Sequence, residues 1–361
     1  MMKYITILFL FIAQISFSQS KPLSKIIDKI DYQNDTILAV FNWVTDNIKY
    51  DVGKLKKLEK GVNFYKKGNY KSTKEFKAAM LKKVIKGKKG VCEDYTLLFN
   101  SIVNELGYIS YVIPGVTKGK NDKVRKSSSH SWIAIKVDGV WKLYDPTWGA
   151  GYVNDKKKFV KKYFSQWYDV EPEKMKEKHF PFDPIWQLSE NPMTYEDFKK
   201  GGQTKKPEIS FDYTGMIEEY LEKDEKEQIL DALNRSELNG GNIQSIKKHR
   251  KHLQKKISFY ESSNRSSVIK STLDNNRNSS QLFVEYIKAK NNRFKDKKWT
   301  IEYSKNTLLD IQNQLEQSIE TFKKMEANDA KSKRAIKGLL KQSNDFHSRV
   351  SKELEYLDDK F

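Results

Sequence analysis

The sequence predicts an α+β domain followed by a mostly α-helical region, and three observations predict it. Composition changes near residue 190. Six of the seven tryptophans lie before it, the exception being Trp299, and helix-period patterns there mix with β-rich runs. Beyond it the chain is almost free of proline and reads as polar helix. Within the first part, an apolar-faced run from Cys92 to Leu106 precedes two β-rich runs around Asp138-Gly139, which places a helix ahead of an antiparallel hairpin.

The first residues read as a leader. Lys3 supplies a positive charge, Ile5 to Ile15 an apolar run, and Ser16 and Ser18 the small residues a signal peptidase reads, so a signal peptide over 1–18 is expected. The run is too short to span a bilayer, and no second apolar stretch or lipid-bearing cysteine follows it. The expected protein is secreted or periplasmic, with no transmembrane span after cleavage. It divides into a domain over 21–190 and a helical region over 200–361.

In the first domain Asp35 or Thr36 caps a helix carrying Ile37, Leu38, Val40, Phe41, Val44 and Ile48. Phe64 to Lys71 reads as a basic loop, and Lys74 to Lys86 as a helix stopped by Gly87 and Gly90. The run from Cys92 sets Tyr95, Leu98, Phe99, Ile102, Val103 and Leu106 on one face and stops at Gly107. Tyr108 to Pro114, Ser131 to Val137 and Val140 to Tyr144 read as strands. The C-terminal part predicts helices near 214–235, 242–262, 281–292, 299–328 and 332–357, with a flexible Ser/Asn-rich linker from Ser262 to Gln281. The spacing of Leu308, Ile311, Leu315, Phe322 and Met325 is heptad-like and fits a coiled coil. The preferred expectation is an intramolecular hairpin with Ile336, Leu339, Phe346, Val350 and Leu357.

One cysteine in an exported chain excludes a disulfide framework and leaves a single thiol, either a buried bystander or a kept reactive group. The net charge of +20, spread along the chain as lysine, favours contact with anionic surfaces such as a cell envelope. No finger, ribonucleoprotein-type or helix-turn-helix signature accompanies it, so no specific nucleic-acid partner is expected. A solvated basic surface is the simpler reading of the charge.

The chemistry-bearing residues come together through the hairpin. With Asp138-Gly139 as a two-residue turn, Trp132 faces Asp145 and His130 faces Thr147. His130 and Asp145 therefore share a sheet face as diagonal neighbours, about 7–8 Å apart at the backbone. An imidazole and a carboxylate so placed can hydrogen-bond, which fixes the ring tautomer and supports its charged form. Cys92 opens its helix, where free N–H groups and the macrodipole favour the thiolate. Beside His130 it forms the pair that activates a cysteine nucleophile, with its own N–H as one oxyanion donor. Trp43 is a candidate second donor, although its apolar helix reads it as a core residue. Each residue alone has a plainer reading: an inert small hydrophobe, a polar strand start, a turn carboxylate before Pro146. Order, helix start and shared face agree independently, so the joint pattern outweighs them.

At these residues the chain resembles the transglutaminase-like superfamily of papain-like cysteine enzymes. The matching segments are Gly90-Val91-Cys92-Glu93-Asp94-Tyr95, His130-Ser131-Trp132 and Asp145-Pro146-Thr147-Trp148-Gly149. The helix from Phe41 to Asp51 and the strand from Gly139 to Asp145 fit the same pattern. The segment His179 to Leu188 is similar to one that follows the core in the kyphoscoliosis-peptidase branch, where His179 is expected to be structural. The resemblance implies a papain-like core, a cysteine-bearing helix on an antiparallel sheet. It implies a catalytic triad of Cys92, His130 and Asp145, no cofactor or metal, and a protein or peptide substrate. The implied activity is acyl transfer or hydrolysis at amide bonds, as protease, deamidase or cross-linking enzyme. The alternative is a catalytically silent scaffold or binding module in the cell envelope. The basic loop from Lys118 to Lys126 reads as a solvated variable loop, or as a selector of acidic or phosphorylated partners.

Overall fold

The computed structural model describes residues 21–32, 35–119, 121–125, 129–201, 210–327 and 329–360. The signal peptide expected over 1–18 lies outside the described residues. In chain order the elements are α1 (Lys21–Ile27), α2 (Thr36–Asn47), β1 (Lys49–Tyr50), α3 (Val52–Glu59), α4 (Phe64–Lys67), α5 (Thr73–Gly87), β2 (Lys89–Gly90) and α6 (Cys92–Glu105). Then come β3 (Ile109–Thr117), β4 (His130–Val137), β5 (Val140–Tyr144), α7 (Pro146–Ala150), β6 (Gly151–Val153), β7 (Phe159–Lys161), α8 (Pro172–Lys178) and β8 (His179–Pro181). The helices α9 (Tyr195–Lys200), α10 (Tyr213–Glu222), α11 (Glu225–Leu238), α12 (Gln244–Asn291), α13 (Ile301–Lys324) and α14 (Ala330–Lys360) complete the chain. This is the expected α+β core followed by helices.

The central sheet is antiparallel, in the order β5-β4-β3-β8. The β4–β5 ladder pairs Ile133 with Tyr144 and Val137 with Val140, the register that a two-residue Asp138-Gly139 turn demands. Ile133, Ile135 and Tyr144 pack with Phe41 and Val44 of α2 and with Tyr95, Leu98, Phe99 and Ile102 of α6 in one buried cluster. Trp132 and Ala134, on the alternate positions of β4, join Trp141, Ile185, Trp186 and Tyr220 in a second. The sheet is thus buried on both faces, and α6 is fixed against the first. The Tyr95 hydroxyl donates to the Ile48 carbonyl at 2.7 Å and ties α6 to the end of α2.

The chain divides into two compact units, Met1–Lys255 and Lys256–Phe361. The first extends well past the compositional change near residue 190 because later helices bury against its sheet side. Ile217 and Tyr220 of α10 pack with Trp186, and Arg235 of α11 donates to both carboxylate oxygens of Asp183 at 2.8 Å. Ile246 of α12 packs with Phe180 and Phe182. In the second unit, Leu308, Ile311 and Leu315 of α13 meet Val350, Leu354 and Leu357 of α14 and Phe283 and Tyr286 of α12. The expected helical hairpin forms, with α12 as a third partner.

Three local expectations need correction. Phe64–Lys67 is a short helix, because the Asn63 side chain accepts from Lys66 N–H and caps it. The predicted helix 214–235 is two helices, the second started by the Asp224 cap on Glu227 N–H. The Ser/Asn-rich stretch from Ser262 to Gln281 is helix interior, joining the two helices predicted on either side of it. Its polar side chains bond to the neighbouring helices. The Ser279 hydroxyl donates to Gln314, Asn276 donates to Ser343, and Asn276 accepts from Ser318. Packing overrides a composition that reads as linker. Among the described residues, no helix is long and apolar enough to cross a membrane.

The pairing of β8 against β3 depends on Gly115. A Cβ there would lie 2.3 Å from the Phe180 carbonyl oxygen and 2.4 Å from the Trp132 ring. Gly115→Ala is expected to destabilise the first unit by at least about 1–3 kcal/mol, since neither backbone nor an interlocked indole can give way cheaply. Urea unfolding followed by tryptophan fluorescence reads this directly.

Candidate functional site

Cys92 is the first residue of α6, and the helix start is built to hold it. The Asp94 carboxylate accepts the Val91 N–H at 2.8 Å, closing the turn just before the cysteine. Lys54 of α3 donates to both Asp94 oxygens at 2.7 and 2.6 Å. The approach requires glycine at position 90, because a Cβ there would sit 2.4 Å from the Asp94 side chain. The Thr96 hydroxyl lies 3.2 Å from that of Ser131, one residue after His130, which pins α6 to β4. Cys92 is buried, with 8% exposure.

Asp145 follows β5 and N-caps α7. Its Oδ1 accepts from the backbone N–H groups of Thr147 and Trp148 at 2.9 and 3.0 Å. Its Oδ2 accepts from His130 Nε2 at 2.7 Å and from His179 Nε2 at 2.9 Å. The carboxylate is fully buried with every lone-pair direction used. The expected His130–Asp145 contact is present, and the hairpin register is what delivers it. With Nε2 on the carboxylate, the other ring nitrogen of His130 is left for the Cys92 thiol, which is near enough to help raise the ring's pKa.

The electrostatics separate the two histidines. Burial alone would depress His130, but the charge and hydrogen bond of Asp145, with the contact to Cys92, push its pKa up to about 10. Burial would raise Asp145, yet its two imidazole partners, His130 foremost, hold it well below the usual carboxylate range. His179 goes the other way. Burial lowers its pKa, Asp145 offsets this only in part, and the His130 charge opposes a second cation. The site therefore holds an imidazolium at His130 and a neutral ring at His179, both donating to one carboxylate.

His179 is the residue that spacing could not place. It lies 34 positions after Asp145 and arrives through the β3–β8 pairing, Thr117 opposite His179. The rings of Trp148, Trp132 and Trp167 surround it at 4.5, 4.9 and 5.2 Å between centroids. Lys54 was also unreadable, whereas Asp94 carried a signal, an acid at the third position of the helix. Trp43 packs half-buried against the first core cluster, as a core residue does. The ligand-type atoms of His130, Asp145 and His179 lie within 4.8 Å of one another. Both ring-to-carboxylate contacts are of hydrogen-bond length, so the trio is one carboxylate shared by two imidazoles.

Because the folded-state pKa of His130 lies above its unfolded value near 6.5, its contribution to stability is complete below that pH. It is lost as pH rises toward about 10. The stability difference between the wild type and His130→Gln, from denaturant titrations, is expected to shrink steadily across that window. A constant difference would mean that the ring carries no proton there.

Residues 18–172 match the family model described as a transglutaminase-like domain. Kyphoscoliosis peptidase of Mus musculus is 27% identical over 170 residues, which are 46% of this chain and 23% of that protein. A UPF0252 protein of Methanocaldococcus jannaschii is 32% identical over 110 residues, 30% of this chain and 28% of that one. This chain thus spans about a quarter of the length of those curated relatives. A solved structure titled as a TGase aligns at 19% identity over 42% of this chain and 39% of its own, with a TM-score of 0.26. The cysteine-bearing helix, the hairpin with its His and Asp, and the family match fall on the same residues, and residues 18–172 form a transglutaminase-like domain.

Proposed function

We propose that the chain is an exported cysteine enzyme that performs acyl transfer at amide or peptide bonds of protein substrates. The observation that carries this reading is the Asp145–His130 hydrogen bond with Cys92 beside the ring at a helix N-terminus. In it, Cys92 Sγ attacks the substrate carbonyl carbon, and the developing oxyanion is met by the Cys92 N–H. His130 passes its proton to the departing amine as the C–N bond breaks, leaving a thioester on Cys92. Water then resolves the thioester in hydrolysis or deamidation, and an amine resolves it in cross-linking. Asp145 stays ionised and holds the ring, and His179 occupies the rest of its Oδ2 without adding charge. Export is supported by the charged, apolar and small-residue pattern at the N-terminus.

The burial of Cys92 favours a second reading, a transglutaminase-like scaffold whose groove binds a partner at the envelope without turnover. The two readings part at the thiol. Iodoacetamide at neutral pH is expected to label Cys92 roughly tenfold or more faster than a free thiol, and His130→Ala to remove that advantage. With a peptide or amide substrate, Asp145→Asn is expected to lower turnover by roughly two to four orders of magnitude. A thiol of ordinary reactivity, indifferent to His130→Ala, would leave the scaffold reading standing.

A further inference from the structure

Beside the start of α6 lies a cleft of about 670 Å³, formed where the end of α2 and β1, the turn from α5 into β2, and the β6–β7 hairpin meet. Five lysines line it, Lys49, Lys88, Lys89, Lys157 and Lys158, around the rings of Tyr50 and Phe159. Two aspartates share the lining but neutralise little of this charge. Asp51 faces Lys89 at 3.8 Å, and Asp46 faces Lys161 at 3.7 Å. Lys49, Lys88, Lys157 and Lys158 form no ion pair among the described residues. Lys88 and Lys157 also hold left-handed backbone (φ 48° and 55°), where glycine or asparagine would cost less. Like charges gathered on a concave wall repel one another, and an anionic ligand relieves that repulsion.

The cleft wall runs directly into the segment that carries the thiol. β1 and β2 pair in parallel, Lys49 with Lys89 and Tyr50 with Gly90, and Cys92 follows two residues later. Tyr50 stands at once in the cleft lining and within electrostatic reach of Cys92, Asp145 and Arg125, the last from the basic loop after β3. We propose that this cleft binds an acidic polypeptide segment of the substrate, rich in Asp or Glu. The proposal rests on the acyl-transfer reading for its orientation. It favours polypeptide over nucleic acid because Tyr50 and Phe159 are half-buried and lie against each other (centroids 6.3 Å apart), which limits their use as stacking platforms.

The test uses the full-length protein and fluorescein-labelled peptides, a Glu-rich one and its Gln counterpart, read by anisotropy at physiological salt. Three proteins are compared: wild type, K88E/K157E/K158E, and K333E/K337E/K341E, which makes the same charge change on α14. The wild type and the α14 variant are expected to bind the Glu peptide at least about tenfold tighter than the Gln peptide, and the cleft variant to lose that preference. Equal losses in both variants, no preference in the wild type, or single-stranded RNA displacing the Glu peptide at equal concentration would each overturn the proposal. Iodoacetamide labelling of Cys92, a small neutral probe, runs alongside on all three proteins. Rapid labelling without peptide preference sinks the cleft alone. Peptide preference with a slow thiol sinks the acyl-transfer reading and keeps the acidic-segment site.

Discussion

Asp145 is the constraint around which the first unit is organised. A fully buried carboxylate would be costly to ionise unless each of its lone pairs found a donor. Here each does, and the donors come from three places: the backbone of α7, the first residue of β4 and the first residue of β8. One anion thereby fixes the corner after β5, the orientation of His130 and the outer strand of the sheet. Its ionisation and the positive charge on His130 are mutually dependent, so neither can be removed without stranding the other.

The helix start is a second, smaller version of the same device. Asp94 is buried, accepts a backbone N–H and receives both its charge partner's bonds from Lys54. The result is a rigid turn in front of Cys92, which keeps the thiol where the helix N–H groups and His130 can act on it. Rigidity is imposed by neighbours rather than by the cysteine itself, whose side chain has little to hold it.

What could be read from the amino-acid order was whatever depends on short spacings. The period of apolar residues marks α6, the Asp138-Gly139 turn sets the register of β4 and β5, and that register brings His130 to Asp145. What could not be read depends on pairings between distant segments. His179 reaches Asp145 through a strand added at the edge of β3, and Lys54 meets Asp94 across 40 positions. The Ser/Asn-rich part of α12 misleads for the same reason, since its helical state depends on polar contacts with α13 and α14 that no local pattern displays. The compositional change near residue 190 marks where tryptophan and β-structure end. It does not mark where packing ends, because α10, α11 and the start of α12 still bury against the first unit.

The late arrival of β8 has a consequence for the order of assembly. The family match ends at residue 172, and the cysteine, the hairpin and α7 all precede that point. Yet the fourth donor to Asp145 and the strand that covers the edge of β3 are supplied only by residues 179–181. A nascent chain that has formed everything up to α8 still carries an incompletely satisfied anion and an open sheet edge. The site is electrostatically closed only once this three-residue strand docks, so covering the edge of β3 and completing the charge arrangement are the same event.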